Sequence, residues 1–390
     1  MTKVRSASWF LWAGVLLLGS GSCASYTARL KDLRSCVEKG ELDRALEQVE
    51  HVSEPGDLLY HLERGTLLHY ANRYSDSNAE LERAEELLED LYTVSVSQRA
   101  LTFLLNDEVE ACRGEIHEGN YLHYYRILNF LSQNKPDAAA VEARRLALRL
   151  ATVRDKQEKD RLLRDDAFLE FLIGRLLESK GEWNSSLVAY RLAYRARSAW
   201  HAETGLDLLP WLERDILRAA WKTGISLEDI PEVAHLKGSA WLESRAAADS
   251  EDGRVLILFE SGWVPKKESV HLRVPIFECD PDWDGEEEAV EMGWVLAERC
   301  KRYRADGRWA DRELAVAYFL DVALPVLAQE HERDAVTCRV QVDPLGSSRP
   351  QSWDERAFST HPGVDLAVLV RHEFAIREAS ILAKAFARAL

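Results

Sequence analysis

The sequence predicts an α+β chain in two parts: an all-α helical-repeat array over residues 23–245, then a smaller α+β domain over 246–390. Three observations predict it. Residues 26–235 carry apolar side chains at three- and four-residue spacing with few turn signals, which is the period of amphipathic helices. Within that stretch a pattern of small, turn and large residues returns at matching offsets. Near Asp249-Ser250-Glu251-Asp252-Gly253 the texture then changes to short apolar runs of strand composition.

The clearest unit lies between Leu169 and Ala196. Gly174 is followed seven residues later by Gly181, then by Trp183, Ser186, Tyr190 and Ala193. This resembles a tetratricopeptide (TPR) unit. Small residues stand where two antiparallel helices touch, a glycine opens the turn, and large residues fill the space toward the next pair. The same offsets give Gly65, Asn72, Tyr74, Ser77, Leu81 and Ala84. Around Gly40 they give Leu42, Ala45 and Val49, and around Asn134 they give Pro136, Ala139, Ala143 and Leu146. The turns at 40, 72, 134 and 181 are separated by 32, 62 and 47 residues. The second gap has room for a further pair between Val94 and Gly119, and the third for a longer helix or an insertion such as Asp155–Asp166.

Helices are expected through Leu209–Trp221, Leu227–Val233 and Gly238–Leu242. In the second part, Val255–Phe259 and Val270–Ile276 read as a β-hairpin with a long loop through Gly262 and Pro265. A helix is expected between Glu286 and Arg302, strands at Leu314–Val326 and Val336–Val342, and a long closing helix from Val364 to Leu390.

At the N-terminus, Lys3 and Arg5 precede the apolar run Trp9–Leu18, and Gly19-Ser20-Gly21-Ser22 leads into Cys23. This is the charge, apolar core and small-residue exit of a secretory signal. It resembles a bacterial lipoprotein signal occupying residues 1–22, with lipid (palmitate among its acyl chains) carried by Cys23. Three residues before Cys23 stands Ser20, where the strict form of that motif has Leu and a looser form accepts Ser. Ten apolar residues are too few to span a bilayer core of about 30 Å. By the same resemblance, Ala24 directs the chain to the outer membrane, facing the periplasm.

Net charge is -16, and removing residues 1–22 takes away only Lys3 and Arg5, leaving -18. Such a chain is a poor ligand for nucleic acid, which is bound by displacing phosphate counterions with cations. It also lacks electrostatic attraction to anionic headgroups, so a membrane hold must come from the lipid. Cys36, Cys112, Cys279, Cys300 and Cys338 are an odd set. Either one pair forms among the last three, or all are buried thiols.

Asp280-x-Asp282-x-Asp284-Gly285, with Glu291 closing, fits a calcium loop, in which short carboxylates alternate around one ion and a longer one completes the shell. The same acidic run also suits the start of a helix ending in Arg299, Lys301 and Arg302, with no ion. Otherwise no cofactor is implied. No H-E-x-x-H, phosphate-binding glycine loop, nucleophile elbow or C-x-x-C occurs, so the chain reads as a non-enzyme. Tyr121, Tyr124, Tyr125 and Arg126 on one helix, with Glu142, Arg144 and Arg145 on the next, suit a peptide-binding groove. The loop bearing Trp263, Lys266 and Lys267 suits a second contact point.

Tyr124-Tyr125, Leu128–Leu131, Ala138–Arg145, Gly253–Glu268, Val274-Pro275-Ile276, Leu324-Pro325-Val326 and the final helix with Arg377 and Lys384 together resemble a group of uncharacterised TPR-containing bacterial outer-membrane lipoproteins. That resemblance implies a lipid-anchored envelope scaffold that binds a protein partner, in peptidoglycan or other envelope machinery and beside other lipoproteins. The competing reading is a metal-dependent envelope enzyme, or a structural lipoprotein stabilised by calcium.

Overall fold

The computed structural model describes residues 22–93, 115–156, 160–205, 209–235, 256–260, 262–265, 267–278, 302–303, 309–310, 315–327, 337–342, 354–359 and 364–389. The signal segment through residue 21, the calcium-like loop 280–291, Lys266, Cys112, Cys279, Cys300, the helix expected at 238–242 and all but Arg302 of the helix expected at 286–302 lie outside these residues. Contacts divide the chain into two units. One comprises the described residues up to Val264 with those between 331 and 373, and the other those between 265 and 330 with those from Phe374 onward. The division falls at residue 264, and the described residues between 331 and 373 belong to the first unit.

The first unit is built from helix pairs. Helices α1 (Ser22–Glu38) and α2 (Leu42–Val52), α3 (Leu58–Tyr70) and α4 (Tyr74–Thr93), α5 (Ile116–Ser132) and α6 (Pro136–Lys156), and α8 (Ala167–Ser179) and α9 (Trp183–Thr204) each pack as a hairpin. A short α7 (Arg161–Arg164) follows α6, and α10 (Pro210–Thr223) follows α9. The stretch expected as a helix at 227–233 is two single turns of 3₁₀ helix, at Leu227–Asp229 and Pro231–Val233.

The four hairpin turns share one conformation. Gly40, Asn72, Asn134 and Gly181 all have positive φ, between 57° and 74°. In each, the next residue's N–H returns to a carbonyl five residues back: Glu41 to Cys36, Arg73 to Leu68, Lys135 to Phe130 and Glu182 to Leu177. This is a left-handed helix terminus that satisfies carbonyls otherwise left open. Glycine adopts it freely and asparagine tolerates it better than most residues.

The offsets read from the sequence hold inside the pairs. Ser186 Oγ donates to the carbonyl of Gly174 at 2.9 Å, and Ser77 Oγ to that of Gly65 at 2.6 Å. Ala45, Val49, Leu81, Ala84, Ala139, Ala143, Leu146, Tyr190 and Ala193 are all fully buried. Cys36 is a buried free thiol in the core of the first pair. The start of the last helix, α11 (Leu366–Ala389), reaches the same unit, where Leu369 packs with Ile116, Val153, Leu162, Leu163 and Trp200. Glu373 accepts from the Ile116 N–H and from His117 Nδ1, both at 3.0 Å, and so holds the N-terminus of α5.

The described strands form three separate two-stranded antiparallel pairs. In the second unit, β1 (Lys267–Glu278) pairs with β4 (Ala315–Leu327), from Lys267 opposite Leu327 to Glu278 opposite Ala315, with an irregularity after Ile276. The expected hairpin between Val255–Phe259 and Val270–Ile276 is thus not formed. The partner of the latter is the third apolar run, and residues 256–260 pair with no strand among the described residues. Elsewhere β2 (Arg302–Tyr303) pairs with β3 (Trp309–Ala310), and β5 (Thr337–Val342) with β6 (Asp354–Ser359).

Candidate functional site

The candidate site lies on the first helices of the pairs, α1, α3 and α5, and its most informative feature is that part of this chain already sits on it. Leu258 packs against the buried cluster containing Tyr124, Ile127, Leu169 and Leu172. Two residues on, the Glu260 carboxylate accepts a 2.6 Å hydrogen bond from Tyr70 Oη. Three residues further, Trp263 lies under the Arg34 guanidinium, 4.6 Å from its ring centroid. The segment therefore crosses α5, then α3, then α1, against the chain order of the array. Beside it is a cleft of about 540 Å³, lined by His69, Tyr70, Tyr74, Tyr124, Leu128 and Ser132 from the helices.

The aromatic wall of this cleft is held from behind. Asn129 is fully buried at the end of α5, and its side chain joins two pairs. Nδ2 donates to Ser77 Oγ and to Asn78 Oδ1, each at 2.8 Å, while Oδ1 lies 2.7 Å from His69 Nδ1. With its oxygen accepting, His69 Nδ1 carries the proton. The His69 ring then packs 5.1 Å from Tyr125, whose Oη is 3.1 Å from Tyr70 Oη.

Three phenols thus gather around Glu260. Burial pushes the Tyr125 hydroxyl up to about 12, with the Glu260 charge adding to it. Burial likewise raises Tyr70 and Tyr124 far above the ordinary tyrosine range, reinforced for each by neighbouring tyrosine and Glu260. All three remain protonated donors at any physiological pH. Phenol-to-carboxylate bonds are charge-assisted and stronger than neutral ones.

The residues expected to form a groove are distributed differently. Tyr124 lines the cleft but is itself almost wholly buried, Tyr125 is half-buried, and Tyr121 packs against the core beneath. Arg126 is buried, not on a groove surface. It forms an ion pair with Glu85, and its guanidinium is 3.3 Å from Glu142. Arg144 is exposed and binds Glu182 at the next turn, while Arg145 stands 3.9 Å from Glu85 and from Glu142. Neither arginine lines the cleft. Trp263 is 38% exposed and held by Arg34. Lys267 opens β1 in the other unit, and Cys23 lies in the first turn of α1.

Glu85, His123 and Glu142 bring three potential ligand atoms within 4.8 Å of one another. His123 Nδ1 is 2.6 Å from Glu142. The Arg126 guanidinium on the same two carboxylates already supplies the cation there, and a metal ion would be forced against it. The cluster reads as a buried ion-pair network. In the sequence Tyr74 stands out only as a repeat position, His69 only as a surface or groove histidine and Glu260 only as part of the stretch Gly253–Glu268, while Tyr70 carries no signal at all. Tyr70 and His69 close a helix one turn before a repeat turn, a hint of surface placement, but nothing linked them to Glu260 across 190 residues.

No protein-family model and no curated protein sequence matches the chain. Among solved structures, one described as "Crystal structure of MamA protein" aligns with 14% identity, covering 59% of this chain and 98% of that one, at a TM-score of 0.32. A likeness that slight carries no argument about either fold or function. No helix among the described residues is long and apolar enough to cross a membrane.

Proposed function

We propose that this protein is a lipid-anchored scaffold of the bacterial cell envelope that binds a protein partner on the aromatic face of its helix pairs. One observation supports it above the others: that face holds a stretch of polypeptide through an apolar contact at Leu258, a carboxylate contact at Glu260 and a stacked Trp263. A surface that holds one segment by side-chain contacts on successive helices is suited to holding another. Its donors toward Glu260 are phenols kept neutral, which supports reading the face as a recognition surface. Attachment through Cys23 to the outer membrane, facing the periplasm, completes the proposal, and the acidic charge of the chain leaves the lipid as the means of holding the bilayer.

The test is crosslinking in intact cells followed by purification, with wild-type protein beside a Tyr70→Ala/Tyr74→Ala variant. A stoichiometric envelope protein captured by the wild type and lost in the variant is the expected result. Equal capture by both would remove this face from the function. For the anchor, a Cys23→Ala variant should leave the membrane fraction for the soluble periplasm, and its retention on membranes would refute the lipid.

A further inference from the structure

We infer that the natural ligand of this face is a peptide segment carrying an apolar side chain two residues before a carboxylate, and that Leu258, Glu260 and Trp263 of this chain are its resident, displaceable stand-in. This rests on the scaffold reading above and deepens it by naming the ligand's chemistry.

The pattern comes from what the face does with its own segment. Leu258 packs, partly buried, against the apolar cluster that Tyr124 and Ile127 of α5 share with Leu169 and Leu172 of α8. Its neighbours Ile257 and Phe259 are 49% and 53% exposed, so the face takes one apolar side chain and leaves those flanking it outside. The carboxylate of Glu260 is then met by Tyr70 Oη, with Tyr124 and Tyr125 close by. Neutral phenols accept a carboxylate without the full charge of an arginine, which suits exchange of one acidic ligand for another. Trp263 adds a third contact through Arg34.

The same contacts explain why the segment can leave. It belongs to no strand or helix among the described residues, so no ladder of backbone bonds fixes it. Its hold is a few side chains, and an open cleft of about 540 Å³ remains beside Leu258, Phe259, Glu260 and Gly262. An incoming segment with the same spacing can enter along that cleft and take over the contacts one at a time.

The experiment uses a fluorescent synthetic peptide with the sequence Leu256–Val264, the mature full chain in detergent, and a Leu258→Asp/Glu260→Lys variant whose own segment no longer fits. The variant is expected to bind the peptide at least tenfold more tightly than wild type. A Glu260→Gln version of the peptide should lose at least fivefold on that variant. A Tyr70→Phe chain, which keeps the ring, should no longer distinguish the two peptides when added to the double variant. Equal binding by wild type and variant, or no binding by either, overturns the proposal. Should the double variant unfold, hydrogen exchange on wild type decides instead. Excess Glu peptide must speed exchange of residues 256–264, and the Gln peptide must do so less. No change on adding either overturns it. A variant that binds the peptide while no envelope partner is captured in cells would refute the scaffold and leave this inference standing. Partner capture without peptide binding would do the reverse.

Discussion

Ser186 Oγ donates a 2.9 Å hydrogen bond to the carbonyl oxygen of Gly174, twelve residues before it, and the pair fixes how closely two helices approach. A Cβ on Gly174 would stand 2.5 Å from two carbons of the Tyr190 ring, and one on Gly65 would stand 2.7 Å from Leu81. Gly174→Ala and Gly65→Ala should each destabilise by about 1–3 kcal/mol, despite the better helix propensity of alanine. Gly181→Ala meets no atom within 4 Å but must keep φ at +74°, which costs about 1–2 kcal/mol. Denaturant midpoints check all three, and an unchanged midpoint for Gly174→Ala would show that the two helices do not depend on the missing Cβ.

Asp166 caps α8, accepting from the N–H groups of Phe168 and Leu169 at 3.0 Å. Burial raises its carboxyl from 3.8 to about 6, against the lowering effect of those bonds. Stability from this group is therefore full below its ordinary value and is lost as pH rises through about 6. Asp166→Asn keeps a capping acceptor without the charge. Its unfolding free energy relative to wild type should climb by about 3 kcal/mol between pH 4 and pH 7.5, since each tenfold change in proton affinity is worth about 1.4 kcal/mol. A difference that stays flat with pH would exclude Asp166 as the source.

Glu373 holds the Ile116 N–H and His117 at once, and both it and His117 are buried. Burial would lower the imidazole, but the bond and charge of Glu373, with Glu118 and Glu115 nearby, leave it raised above its ordinary value. Glu373→Ala leaves a buried backbone donor and a buried imidazole without their acceptor, and should cost about 2–4 kcal/mol. Amide exchange at the start of α5 should accelerate before global unfolding. Protection there equal to wild type would contradict the role.

Arg126→Met leaves Glu85 and Glu142 without their guanidinium and should destabilise by about 3–5 kcal/mol. Zinc or calcium should not raise the thermal midpoint of wild type through these carboxylates. A midpoint increase with zinc that vanishes in His123→Ala would show that a metal binds there after all.

The repeat array was legible because its signals are local. Gly181, Ser186, Tyr190 and Ala193 do the same work at the same spacing wherever the hairpin returns, and a turn that needs positive φ selects glycine or asparagine. The pairing of Val270–Ile276 was not legible, since Val255–Phe259 has equal strand composition and lies nearer in sequence, while the true partner begins at Ala315. Tyr124 and Arg126 differ from groove residues only in which side of α5 meets α4 and α6, and that depends on the neighbouring pairs. The Tyr70–Glu260 bond joins residues 190 apart, where no periodicity connects donor to acceptor.

The resident segment also sets a threshold. Because it is part of the same chain, it competes for the face at an effective local concentration that, for intramolecular occupants, is on the order of millimolar. A free ligand of similar contacts is then outcompeted at cellular abundance, whereas one tethered in the same membrane has a comparable local concentration of its own. On the proposed lipid anchor, occupancy would report co-localisation rather than bulk amount, a response to proximity alone.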